Sequence, residues 1–201
     1  MSALLDTSHE RPGATRRRGA ALENALLDAA WTELQSVCYA KLTMEGVAER
    51  AQTSRAVIYR RWSSRHELVI AAIVHQQPTG ARRIPDTGNL RDDVLAVMRQ
   101  ASRRIAAIGP GTVVGLLTDL LADDTANAII DQLARGGGEV INTLITRAAT
   151  RGEARELVPP RVARLPLDLL RHELILTHQP PSTQTLEELV DQIFLPLVAP
   201  A

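Results

Sequence analysis

The chain has 201 residues, 45% of them hydrophobic, with 23 Lys/Arg balancing 23 Asp/Glu and a single cysteine, Cys38. That composition suits one or two compact units with a sizeable core, and it excludes a disordered chain, a disulfide-stapled scaffold and a polycation that would hold nucleic acid by bulk charge. The first twenty residues lack the apolar run of a signal peptide and no eighteen uncharged apolar residues occur together, so a cytosolic protein without membrane association is expected.

Residues 1–19 are polar, contain Pro12 and Gly13 and end in Arg16-Arg17-Arg18. They read as a flexible basic arm, either solubilising or able to reach a phosphate or groove. From Ala20 to about Ser36, Leu22, Ala25, Leu26, Ala29, Ala30 and Leu34 fall near one stripe at helical spacing, which predicts a first helix. Thr43 then offers a hydroxyl to a free helix N–H, and Glu45 suits the positive end of the helix dipole, so a second helix begins at Met44. It stops near Gln52, because Thr53 and Ser54 provide the next cap, for RAVIYRRW. Ser64 and Glu67 have capping-box spacing and open a fourth helix, HELVIAAIVHQ, which Pro78 and Gly80 close. The Pro- and Gly-containing stretch from Gln76 to Asn89 is the expected domain boundary.

Two short helices three or four residues apart, the later one rich in arginine, form the pattern of a helix-turn-helix that reads duplex DNA. Between Glu49 and Glu67 stand Arg50, Arg55, Arg60, Arg61 and Arg65 without an Asp or Glu. Residues 1–75 hold ten Lys/Arg against eight Asp/Glu, so only the local cluster, and not the half-chain charge, points to a polyanion.

Beyond the boundary, helices are predicted over 90–108, 112–122, 125–150, 162–177 and 183–198, and no two-residue alternation marks a strand. The last helix carries Leu186, Leu189, Val190, Ile193, Phe194, Leu197 and Val198 at steps of three and one, a stripe that must be buried. Gly136-Gly137-Gly138 interrupts a long helix; each glycine costs roughly 0.8–1 kcal/mol relative to Ala, so the run should break or kink that helix or admit a very close neighbour.

The order of features in VAERAQTSRAVIYRRWSSRHEL resembles that of TetR/AcrR-type transcriptional regulators. Small Ala48 and Ala56 stand where two helices cross in that family, Tyr59, Trp62 and Leu68 fall at its aromatic and apolar positions, and IYRRW followed by a polar pair and a base is the most specific string. DTGNLRDDVLAVMRQ and AATRGEAR resemble the C-terminal domains of one branch. Gln52 departs from the pattern, since the family usually has glycine at this turn, where the backbone tends toward positive φ at a cost of about 1 kcal/mol for a residue with a Cβ. The resemblance implies an all-α fold: a flexible arm (1–19), an N-terminal three-helix helix-turn-helix DNA-binding domain (20–77) and an all-helical ligand-binding and dimerisation domain (78–201).

With Ser54 as cap, Ser54, Arg55 and Ala56 would face the major groove, where Arg55 either reads guanine O6 and N7 or contacts a phosphate. Thr43, Thr53 and Ser54 have hydroxyls at helix starts, which cap, bind phosphate, or do both. By resemblance Tyr59 reaches a phosphate; the alternative is a boundary tyrosine. Arg60, Arg61 and Arg65 lie toward or beyond the helix end and are expected to neutralise the backbone. The resemblance also implies a homodimer on a near-palindromic operator, joined through Leu186, Leu189, Val190, Ile193, Phe194 and Leu197 with part of the helix from Leu169 to Leu176. An intramolecular core is the alternative for the same stripe, and the two can share it. Family members enclose an effector among helices such as those holding Val97–Ile108, Val113–Leu121 and Ile129–Leu144; the scarcity of aromatics favours a small apolar or amphipathic effector.

No cofactor, metal or catalytic set is expected. His9, His66, His75, His172 and His178 are scattered, and Asp119, Asp123 and Asp124 are better explained as solvated surface than as a carboxylate site. RNA is disfavoured by the same lack of aromatics.

Overall fold

The computed structural model describes residues 13–76, 83–122 and 127–200. Among these residues every extended regular element is a helix and none is a strand. The first compact unit holds α1 (Gly13–Val37), α2 (Met44–Arg50), α3 (Arg55–Tyr59) and α4 (Arg65–His75). The second holds Cys38–Lys41 together with α5 (Leu90–Ile108), α6 (Pro110–Ala122), α7 (Asn127–Thr150), α8 (Pro160–Thr177) and α9 (183–198).

In the first unit α1 begins at Gly13, not near Ala20, so residues 13–19 of the expected arm are helical; residues 1–12 lie outside the described residues. Ala14 and three arginines here are good helix formers and extend the helix backwards despite the cost of Gly19. Leu26, Leu27, Ala29, Ala30 and Leu34 of α1 are buried, while Leu22 and Ala25 remain exposed. The buried stripe packs against α2 and α4, which contribute Val47, Ala48, Leu68, Val69 and Ala72 to the same core. Ser64 Oγ accepts from Glu67 N, and Glu67 returns a carboxylate oxygen to Ser63 N at 2.7 Å, one residue before the N-cap, so the head of α4 carries a variant of the expected capping box.

The turn after α2 is a Schellman motif. Gln52 N–H donates to Glu49 O at 3.0 Å and Thr53 N–H to Ala48 O at 2.9 Å, with Gln52 in the left-handed region at φ +50°. An equivalent pair of bonds ends α7, from Gly152 and Glu153 to Ala149 and Ala148, and there the left-handed residue is glycine at φ +77°. The same backbone device thus occurs twice, once with the residue that suits it and once with a side chain that does not. Gln52→Gly is expected to stabilise the protein by about 0.5–1 kcal/mol, raising the thermal midpoint by about 1–4 °C for a chain of this size. A scanning calorimetry trace with an unchanged or lower midpoint would contradict this account of the turn.

The second unit is organised around one apolar cluster in which Leu95, Met98 and Ile105 of α5, Ile141 and Leu144 of α7, Leu170 and Leu174 of α8, and Leu186, Val190 and Phe194 of α9 meet. The glycine run does not break α7. A Cβ on Gly137 would lie 2.7 Å from Leu167 Cδ1 and one on Gly138 would lie 3.0 Å from Arg164 Cγ, so these two glycines let α8 approach α7 closely. The favourable packing of α8 offsets the helix propensity lost.

The helix α9 changes pitch along its length: α-helical over Thr183–Glu188, π-helical over Leu189–Phe194 and α-helical again over Leu195–Val198. Leu195 N–H donates to Val190 O, five residues back, and Pro196 has no N–H to continue the ordinary ladder. In an α-helix an i, i+4 row drifts by about 40° per step. The wider π turn counters that drift and keeps Leu186, Val190, Phe194 and Val198 on the inward face, where all four are buried. Arg91 grips Asp191 with two bonds, 2.6 and 2.7 Å, and Arg99 pairs with Glu187 at 2.9 Å, tying α5 to α9. Hydrogen bonding to the Arg91 guanidinium holds the Asp191 carboxyl below the ordinary aspartate range.

Cys38–Lys41, which the chain places between α1 and α2, belongs to the second unit. Tyr39 is buried there with its ring on α6: a Cβ on Gly115 would stand 2.5 Å from Tyr39 Cδ1. Tyr39 Oη donates to Asp119 Oδ2 at 2.5 Å, one turn further along α6. Cys38 enters this segment in the left-handed region, at φ +57°.

Candidate nucleic-acid interface

The five residues of α3 present two chemically different sides. Ile58 is fully buried and Trp62, just beyond the helix, is nearly so, whereas Arg55, Ala56 and Tyr59 are exposed. An apolar anchor on one side and an arginine, a small residue and a phenol on the other form a rigid, shallow surface that can enter a groove. Ala48 lies buried on α2 where the helices cross, but Ala56 does not share that role; its exposure places it on the outer side of α3 instead.

Of the two hydroxyls at the starts of α2 and α3, only that of Thr43 is used as a cap. Thr43 Oγ1 accepts from Gly46 N at 3.1 Å, so this hydroxyl is committed to α2. Ser54 occupies the N-cap position of α3 in extended conformation, and its hydroxyl makes no capping bond. Ser54 is exposed, so that hydroxyl is available to a phosphate. Thr53 is half-buried, with its N–H held in the turn described above.

The arginine cluster is not the uncompensated cationic surface that its local sequence suggests. Arg50 Nε contacts Glu33 of α1 at 2.7 Å and its Nη2 donates to Ser36, and Arg55 Nη2 pairs with Glu45 Oε1 at 2.8 Å. Carboxylates seventeen and ten residues away in sequence are brought back by the fold. Arg50 therefore ties α2 to α1. Arg55 is held on the outside, and its guanidinium also lies 5.7 Å from the centre of the Tyr59 ring, within cation–π range. Arg60 is exposed at the C-cap of α3, Arg61 is half-buried with Nη1 donating to Val57 O at 3.1 Å, and Arg65 is half-buried at the head of α4.

The apolar stripe of α9 separates into two sides. Leu186, Leu189, Val190 and Phe194, all expected at a dimer surface, are buried within this chain, Phe194 completely. These four follow the alternative reading of the stripe, an intramolecular core, which they form with α5 and α8. Ile193 and Leu197 are each 39% exposed, four residues apart on the outer side. On α8, Ile175 and Leu176 are also exposed. Of the carboxylates considered for another chemistry, Asp119 is hydrogen-bonded to Tyr39, and Asp123 and Asp124 lie outside the described residues.

Two residues that matter here escaped sequence reasoning. Glu45 was legible as a helix-dipole partner, but its pairing with Arg55 spans a turn and has no periodic signature. Tyr39 sits eighty residues from Asp119, and no local pattern marks it as anything but a loop aromatic.

Comparison with known proteins agrees with this architecture. Residues 26–72 match the family model described as bacterial regulatory proteins, tetR family, and residues 84–193 match that of the tetracyclin repressor-like C-terminal domain. A DNA-binding transcriptional repressor TetR of Mycobacteroides abscessus is 33% identical over 189 residues, covering 91% of this chain and 97% of that protein. An uncharacterized HTH-type transcriptional regulator of Mycobacterium tuberculosis is 31% identical over 179 residues, covering 87% of this chain and 86% of that protein. The crystal structure of a TetR transcription regulator from Haloarcula marismortui superposes with a TM-score of 0.66, covering 90% of this chain and all of that one; at 12% identity it shows a shared fold. Among the described residues no single helix is long and apolar enough to cross a membrane. A helix-turn-helix unit with a buried anchor behind an exposed arginine face, an all-helical second unit, and family matches across both place this chain in the TetR family of transcriptional regulators, which are not enzymes.

Proposed function

We propose that the protein is a homodimeric, effector-responsive repressor that acts in the cytoplasm on a near-palindromic operator. The observation that carries this reading is the two-sided α3: Ser54, Arg55, Ala56 and Tyr59 are exposed on a helix whose opposite side is fixed in the core by Ile58. Arg55 reads a base, Ser54, Thr53 and Tyr59 bind the backbone, and Arg60, Arg61 and Arg65 neutralise phosphates. Thr43 orders the start of α2 and so the surface beside them. Two such units are needed because one short helix contacts too few base pairs, and the outer side of α9, with Ile193 and Leu197, joins the copies together with part of α8. The repressor role is supported by the name of the relative from Mycobacteroides abscessus.

The effector is a small apolar or amphipathic molecule received among α5, α6 and α7, where Val97, Ala101, Val113 and Val114 are only partly buried against the core. An effector that displaces α6 acts on Tyr39, which α6 holds, and Tyr39 is three residues before the core-anchored Leu42 and five before the start of α2. Selection of oligonucleotides from a random pool by the full-length protein tests the whole reading. The expected product is an inverted repeat with half-site centres about 10–10.5 base pairs apart or a multiple of that. Binding should weaken steeply as salt rises. A pool that remains random, or an affinity indifferent to salt, would overturn it.

A further inference from the structure

Among the described residues, the carboxylate that pairs with the Arg55 guanidinium is Glu45, which comes from a different helix. The pair is exposed on both sides, 58% for Arg55 and 52% for Glu45, so it contributes little to folding. Its geometry has another consequence. A free arginine samples many rotamers, and a base contact must first select one. Here the guanidinium is contacted from two sides, by Glu45 Oε1 at 2.8 Å from Nη2 and by the Tyr59 ring 5.7 Å from Cζ, which biases it toward one orientation. Nη2 carries two N–H bonds, and Glu45 takes one. The other, with those of Nη1 and Nε, remains for a bidentate contact in the plane of the fork, so holding Arg55 and reading a guanine are compatible.

From this we infer that Glu45 is a specificity-determining positioning residue: it holds the Arg55 guanidinium in the orientation that reads one base pair, at the expense of raw DNA affinity. The inference rests on the reading of Arg55 as a base contact. The trade follows from charge. A carboxylate beside the groove repels phosphates on every sequence alike, whereas the ordering of Arg55 matters only where a guanine is present to accept the fork. Removing the charge therefore strengthens binding to unrelated DNA and lowers discrimination at one position. Thr43 caps α2 independently, so Glu45→Gln leaves the helix start intact.

The experiment measures binding of the full-length wild type, Glu45→Gln, Arg55→Ala and the double variant to the selected operator and to versions with each base pair replaced in turn. Wild type is expected to discriminate by roughly 5- to 150-fold at the pair read by Arg55. Glu45→Gln is expected to lose most of that factor at the same pair, to keep discrimination elsewhere, and to bind unrelated DNA more tightly. In the Arg55→Ala background the Glu45→Gln change should have no effect on discrimination at that pair. Unaltered discrimination in Glu45→Gln, a loss spread equally over all positions, or a loss at a different pair, as when Glu45 itself accepts from a cytosine amino group, would each overturn the inference while leaving the regulator's function standing. If wild type selects no sequence, or Arg55→Ala loses no discrimination, the reading beneath it fails as well, and the two failures are told apart by the wild-type and Arg55→Ala data alone.

Discussion

Ile193→Glu combined with Leu197→Glu is expected to convert a two-chain particle into a folded single chain and to weaken operator binding by about 10²–10⁴-fold, the gain that coupling two modest sites provides. Both residues face outward, so two carboxylates there meet water in the single chain and meet one another across a two-fold interface in a dimer. The neighbouring position on the inner side behaves differently. Phe194 is completely buried among side chains of the second unit, and Phe194→Ala is expected to cost about 3–5 kcal/mol, a large part of the total stability of a domain. Light scattering and circular dichroism separate the two results: the double glutamate variant should halve its mass and keep its helicity, losing only the stabilisation that association supplies, and Phe194→Ala should melt far earlier. A double glutamate variant that remains a dimer would move the interface away from the outer side of α9.

The order of the helices was legible because each carries its own local signals: a hydrophobic stripe, a hydroxyl at the start, a proline or glycine at the end. Thr43 and Ser64 accept from the N–H groups of Gly46 and Glu67, which is local chemistry that a sequence states directly. The positive φ at Gln52 was also legible, since the turn demands it of whatever residue stands there. What was not legible depends on distance. The stripe of α9 gave no indication of how it divides, because one helix cannot show which of its apolar rows a neighbouring helix will cover. The π turn that aligns the inner row ends just before Pro196, but a proline in a helical run does not state which irregularity accompanies it. The charge of the arginine cluster was misleading for a related reason: Glu33 and Glu45 lie outside the counted window and return to it only through the fold. The pairing of α7 and α8 across Gly137 and Gly138 likewise needs a second helix before the glycines have a meaning.

Among the arginines, Arg55→Ala is expected to change which sequences are bound, and the others are expected to change only how tightly. At the base pair it reads, Arg55 should account for about 1–3 kcal/mol of discrimination, so its loss flattens the preference there while the remaining positions keep theirs. Arg55→Lys should restore charge without the planar fork, recovering affinity more than preference. Arg60→Ala should weaken operator and unrelated DNA alike and lower the salt dependence by about one counterion. Arg50→Ala makes a useful contrast, because that guanidinium bonds to Glu33 and Ser36 of α1. Its loss should lower the melting midpoint and leave base preference unchanged. Competition titrations against operators substituted one pair at a time, repeated at several salt concentrations, resolve the three behaviours. If Arg55→Ala behaved as Arg60→Ala does, Arg55 would be a phosphate contact, and base reading would have to come from another exposed residue of α3 or its cap, with Ser54 and Tyr59 the remaining polar candidates.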